Sequence, residues 1–190
     1  MPSPTARARH QYTYEEYLAY ERESALKHEY DDGEIFAMAG GSVRHNALAS
    51  RMSAVLEAAR RTGCVALQSD QRLRILATGR TTYPDASVVC GPIERDPTDP
   101  SGTTITNPVL LVEVLSPSTE KEDRGKKWDD CQQIPSLQEY VLVDQFSPRV
   151  ERYRRLAGGT WEYSVATEGR ISLSTGAVID IEWLYADLPD

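Results

Sequence analysis

Apolar positions along the chain follow two different periods. In "SVRHNALASRMSAVLEAARRTG", Ala47, Leu48, Met52, Val55, Leu56 and Ala59 form one stripe at helical spacing, with Ser42 as the cap and Gly63 as the stop. "TYEEYLAYERE" opens a shorter helix, since Thr13 followed by Glu16 is a capping-box pattern. Between the two, "HEYDDGEIFAMAG" predicts two short strands around an Asp31-Asp32-Gly33 turn. Strand-like runs follow at 64–68, 71–77, 83–90 and 109–115. "EKEDRGKKWDDCQQI" reads as one polar helix, with Thr119 and Glu122 as a second capping box. "YVLVD", residues 140–144, is apolar throughout, as a central strand is. "VERYRRL", "WEYSVA" and "AVIDIEWLY" alternate and are separated by glycines, which predicts an antiparallel extension at one edge.

This order implies an α/β (α+β) domain, a mixed sheet flanked by helices, over residues 12–190. Residues 1–11 read as a disordered tail. The segment 91–107, rich in Pro, Asp and Thr, reads as a mobile loop or lid.

Composition narrows the function. A chain of 190 residues suits one domain, and no apolar run approaches the roughly 20 residues of a membrane helix. A net charge of −8 argues against coating nucleic acid by bulk attraction. It leaves room for a nucleic-acid enzyme whose site gathers acids around a cation. Cys64, Cys90 and Cys131 are sparse, odd in number and without a CxxC. They are expected to be reduced thiols in a cytoplasmic protein.

Two carboxylates stand out. Asp85 opens the strand-like run in "TTYPDASVVC", and Glu113 lies inside "PVLLVEVLSPST", on a strand apolar on both faces. A buried lone carboxylate costs several kcal/mol unless paired, neutralised or metal-bound. If the two strands pair antiparallel, the start of one meets the end of the other. Both acids then face one cleft, as hard ligands for a divalent cation. The plainer reading is that such acids solvate a sheet edge or pair with an arginine.

"YPDASVVC", "LLVEVLSPST", "DRGKK" and "IPSLQEYVLVD", in that order, resemble the Uma-two family, whose members are described as restriction endonucleases of the PD-(D/E)XK nuclease superfamily. The likeness runs from about Tyr12 to Leu188 and takes in "HEYDDGEI" and "SVRHNALAS". It implies a restriction-endonuclease-like fold. It also implies metal-dependent phosphodiester hydrolysis, with DNA as the expected substrate and a homodimer as the expected assembly. Asp85 and Glu113 would hold Mg2+ or Mn2+, joined by Glu29, with Glu34 as the alternative.

The chain departs from the superfamily pattern at Leu115, where a lysine is usual. The resemblance makes Lys127, in "DRGKK", the stand-in, ahead of Lys126 and Lys121. On spacing alone, Asp123 and Lys127 are an ordinary i,i+4 surface pair contributing about 0.3–0.5 kcal/mol. His45, in the first helical turn, is a candidate to relay a proton or bond a phosphate; a lone histidine is more often structural. Arg72 and Arg74 suit either phosphate contacts or cross-strand pairs. Two other classes stay open: a non-catalytic nuclease-fold protein that binds nucleic acid or a protein, and a small-molecule phosphoesterase.

Overall fold

The structure, a computed structural model, describes residues 10–189. Residues 1–9 of the expected tail lie outside the described residues. The first helix, α1 (Tyr14–Glu23), starts in the predicted capping box: Thr13 Oγ1 accepts from Glu16 N, and Glu16 Oε2 accepts from Thr13 N. Strands β1 (His28–Asp31) and β2 (Glu34–Ala37) form the predicted hairpin. Asp32 and Gly33, at φ 46° and 81°, make a turn whose backbone twist matches that of the strands. Helix α2 (Val43–Ala58) is capped by Ser42, whose Oγ accepts from His45 N at 3.0 Å.

The next strands are β3 (Cys64–Gln68), β4 (Leu73–Arg74), β5 (Thr81–Thr82), β6 (Ala86–Cys90) and β7 (Leu110–Leu115). The polar helix 120–134 divides in two, α3 (Glu120–Asp123) and α4 (Lys126–Cys131), with Gly125 between. A Cβ on Gly125 would stand 2.8 Å from the Lys121 carbonyl oxygen, so the close turn needs glycine. Thr119 makes no side-chain cap. Its own backbone is already helical, and its hydroxyl meets Ser116 Oγ instead.

The chain ends in β8 (Glu139–Asp144), β9 (Val150–Arg155), β10 (Trp161–Ala166), β11 (Arg170–Ser172), β12 (Val178–Asp180) and α5 (Ile181–Tyr185). Six strands make the main mixed sheet in the order β10-β9-β8-β7-β6-β3; only β7 and β8 are parallel. The crossover between them is α3–α4. A smaller sheet, β2-β1-β5-β4, lies beside it, and β11–β12 is a separate hairpin. The predicted edge extension is therefore β9 and β10, which continue the main sheet antiparallel. "AVIDIEWLY" divides into β12 and α5, because Asp180 caps a helix there by accepting from Trp183 N.

Alternation along the central strands makes two cores. Leu110, Val112 and Val114 pack under α2 with Leu48, Met52 and Leu56. Leu111 and Leu115 pack on the other face with Cys131, Ile134 and Leu137, beneath the α3–α4 crossover. Glu113 belongs to this second face.

Two further expectations are corrected. Cys64 and Cys90 are not thiols but a disulfide. They are register partners on neighbouring antiparallel strands, a proximity that sequence spacing hides. Cys131 alone stays free and buried. Cysteine usage therefore no longer speaks for a reducing compartment. Among the described residues, no helix is long and apolar enough to cross a membrane.

The second correction concerns 91–107, which is stitched down rather than a free lid. Arg72 Nη2 donates to Asp99 Oδ2 and Arg74 Nη1 to Asp96 Oδ2, each at 2.9 Å, and both aspartates are buried. The two arginines hold this loop to the body of the protein; phosphate contact is not their role in this arrangement.

Candidate active site

The site forms where the start of β6, the start of α2, strand β1 and the α3–α4 crossover meet over the C-terminal half of β7. Strands β6 and β7 pair antiparallel with Ala86 opposite Val112, so Asp85 stands beside Glu113. Asp85 Oδ2 accepts from Val114 N at 2.7 Å, continuing the ladder with a side chain. His45, in the first turn of α2, reaches the same oxygen with Nε2 at 3.3 Å. The pairing of β1 with β5 at Tyr30 and Thr81 brings Glu29 opposite Thr82, whose hydroxyl donates to Glu29 Oε1.

The crossover supplies the cation. Lys127 Nζ lies 2.8 Å from Glu113 Oε1, 3.4 Å from Asp123 Oδ1 and 3.5 Å from Glu29 Oε1. The Lys127, Glu113 and Asp123 side chains are almost wholly buried, so the Asp123–Lys127 pair is interior, not a helix-surface pair. Asp85, His45 and Glu29 are part-exposed and mark the solvent-facing side of the cluster.

Three carboxylates thus share one ammonium. Burial pushes Glu113 well above the usual carboxylate range, Asp123 and Asp85 add to the shift, and Lys127 opposes it. Burial likewise raises Asp123 against the pull of Lys127. Burial alone would lower Lys127, but Glu113, Glu29 and Asp123 outweigh it and hold the ammonium charged well above its ordinary range. Glu29 goes the other way: burial would raise it, but Lys127 and the Thr82 hydroxyl keep it low. The hydrogen bond to Asp85 raises His45 against its burial.

The donor set suits a hard cation. Although Lys127 is near, its alignment leaves buried Glu113 Oε1 with no hydrogen bond. The cluster also carries more acids than bases. Among the described residues, no three His, Cys, Asp or Glu side chains are gathered as a ready chelate. Mg2+ is commonly held by one or two carboxylates, with water and phosphate oxygens completing its shell. Asp85 and Glu113 are the two acids that could hold such an ion.

Of the residues singled out in the sequence, Asp85, Glu113, Lys127, His45 and Glu29 come together. Glu34 pairs with Asp31 at the far end of the β hairpin, and Lys126 bonds Asp31 rather than Glu113. Lys121 is exposed on α3. Asp123 passed as a surface residue, and Arg80 gave no signal at all. Arg80 is buried among Asp31, Glu122 and Asp130, partners far from it in sequence.

Residues 14–184 match the Uma2 family, described as "Putative restriction endonuclease". The chain belongs to the Uma2 family. Among its relatives are two uncharacterized proteins of Synechocystis sp. (strain ATCC 27184 / PCC 6803 / Kazusa). The protein slr1290 is 42% identical over 148 residues, covering 77% of this chain and 76% of that one. The protein sll1609 is 39% identical over 151 residues, covering 78% and 84%. A solved structure from Anabaena variabilis ATCC 29413, titled a putative nuclease belonging to DUF820, superposes with a TM-score of 0.73. It is 22% identical and covers 92% of this chain and 98% of that one. This likeness shows that the Uma2 chain shares the fold of that protein.

Proposed function

We propose that this Uma2 protein is a metal-dependent phosphodiesterase, acting as an endonuclease on DNA. The observation that carries the reading is the meeting of Asp85, Glu113 and Lys127: two strand-end acids beside each other, with a lysine from a separate helix against the second. Asp85 and Glu113 would hold Mg2+ or Mn2+. Bound there, such an ion would supply a Lewis acid for the phosphodiester and would lower the pKa of a bound water. Lys127 fills the charge role left open by Leu115. Its ammonium orients Glu113 and offsets negative charge in the site. His45 holds Asp85 through Nε2 and is the group able to move a proton at the mouth. Glu29, fixed by Thr82 and Lys127, is the third acid of the cluster.

A homodimer is part of this reading, since two copies bring two sites to two strands. The free edge of β10, with Tyr163 and Val165 exposed, is the surface that fits a second copy. A second reading is a non-catalytic nuclease-fold protein. It is favoured by the ammonium standing between Glu29 and Glu113, where it neutralises acids that would otherwise need a metal.

The test is incubation with supercoiled plasmid, single-stranded DNA and RNA, in Mg2+, Mn2+ or EDTA. Metal-dependent cleavage that vanishes in both Asp85→Ala and Glu113→Ala supports the endonuclease. Folded protein that cuts nothing in either metal sinks it. Turnover of an aryl phosphodiester without cutting DNA moves the chain to small-molecule substrates.

A further inference from the structure

Arg80 is among the largest fully buried side chains of the molecule. It immediately precedes β5, just after the tight turn at Gly79, where Ile75 N bonds the Arg80 carbonyl at 2.8 Å. Nε donates to Asp130 Oδ2 at 2.7 Å. Nη2 donates to Asp31 Oδ2 at 2.8 Å and also to Glu122 Oε1. One planar guanidinium therefore ties together β1, α3 and α4.

The three partners stand next to the site residues. Asp31 is two residues beyond Glu29 on β1, so both project from one face of that strand. Glu122 precedes Asp123. Asp130 is three residues beyond Lys127, on the same side of α4. The elements gripped by Arg80 are thus the ones that carry Glu29, Asp123 and Lys127. Neither helix is long enough to be stable by itself: α3 has four residues and α4 six, with Gly125 between them. Other ionic latches on the crossover include Lys126, whose Nζ also bonds Asp31 on β1, and, on the far side, Arg124, whose Nη2 reaches Glu151 on β9 at 2.6 Å.

We propose that Arg80 is the positioning residue that sets Lys127 and Glu29 against Glu113. The proposal rests on the site reading above for its effect on turnover, but its structural content stands apart from catalysis. A lysine at position 80 keeps the charge and loses the fork, so it cannot hold three carboxylates in fixed directions. Free of that clamp, α4 opens locally and Lys127 Nζ leaves Glu113.

The experiment uses the full chain and the variant Arg80→Lys, with circular dichroism and a thermal melt to establish that it is folded. If it does not fold, Arg80→Gln with Asp130→Asn takes its place, since that pair removes a buried acid along with its base. The first readout is the acetylation rate of each lysine under native conditions, by mass spectrometry. Lys127, buried in the wild type, is expected to label on the order of ten times faster in the variant. Exposed Lys121 keeps its rate. The second readout is plasmid cleavage. Arg80→Lys is expected to lower kcat by roughly ten- to a hundredfold with KM nearly unchanged, as misplacement of a catalytic group does. Arg80→Lys combined with Lys127→Ala should lose clearly less than the two separate losses multiplied together, since the two residues act on one arrangement.

Unchanged Lys127 labelling in a folded variant overturns the proposal. So do kinetic losses that simply add. A wild-type protein that cuts nothing, with Lys127 labelling raised in the variant, upholds the clamp and removes the nuclease reading instead.

Discussion

Lys127 Nζ, on α4, lies 2.8 Å from Glu113 Oε1, on β7, with both side chains almost wholly inside the protein. The pair joins the crossover to the central sheet at the one strand position where an acid interrupts an apolar run. Removing one partner of a buried ion pair leaves the other uncompensated, at about 3–5 kcal/mol. Lys127→Ala should therefore destabilise by about that amount in urea unfolding, because three carboxylates lose their shared cation. A loss near zero would mean that water reaches the cluster and screens it.

Metal binding should release protons. Glu113 and Asp123 have raised pKa values in the free protein, and a cation at Asp85 and Glu113 favours the ionised carboxylate. Affinity for Mn2+ is then expected to strengthen as pH rises through the raised Glu113 range. Calorimetry in two buffers of different ionisation enthalpy measures the release directly. Binding should also raise Tm, by the equivalent of about 2.7 kcal/mol at 100 times Kd. Asp85→Asn should abolish both effects.

Reduction should weaken the fold without unmaking the site. The disulfide joins Cys64 to Cys90 across 26 residues, a loop for which chain entropy predicts about 2–4 kcal/mol. The melt in dithiothreitol should fall accordingly, and Cys64→Ser with Cys90→Ser should match the reduced wild type. An identical Tm with and without reductant would mean that the bridge does not form in solution.

Acid should act through Glu151. Burial alone would raise this carboxyl, but hydrogen bonds from Arg124, Arg149 and Tyr163 outweigh it and hold it at about 2. A depressed carboxyl contributes stability that is whole above the unfolded pKa, near 4.5, and fades as pH falls toward the folded value. The stability gap between wild type and Glu151→Gln should thus be constant above about pH 5 and narrow from pH 4.5 to 2. A gap that stays constant down to pH 2 would show that Glu151 is not held low.

Local signals carried far in this chain. Thr13 and Ser42 sit at helix starts as read, because a cap is made by residues three apart. The Asp31-Asp32-Gly33 turn was legible for the same reason. Where a segment's fate depended on distant partners, the reading failed. The loop 91–107 has the composition of a mobile segment, yet Arg72 and Arg74 bind its aspartates across the β4 edge. Gly125 divides a pattern that reads as one helix, since the break depends on how closely α3 approaches α4.

The division is clearest at the site. The sequence alone placed Asp85 at the start of one strand and Glu113 inside another, near its C-terminal end, and family likeness pointed to Lys127, His45 and Glu29. Periodicity and strand order are properties of neighbouring residues, so they survive in one dimension. Only the tertiary structure decided that Lys127 is interior, that Asp123 shares it, that Arg80 grips Asp31, Glu122 and Asp130, and that Cys64 meets Cys90. Each of those depends on which strands pair and where the crossover lands, and burial then turns an ordinary charge spacing into a strongly coupled cluster.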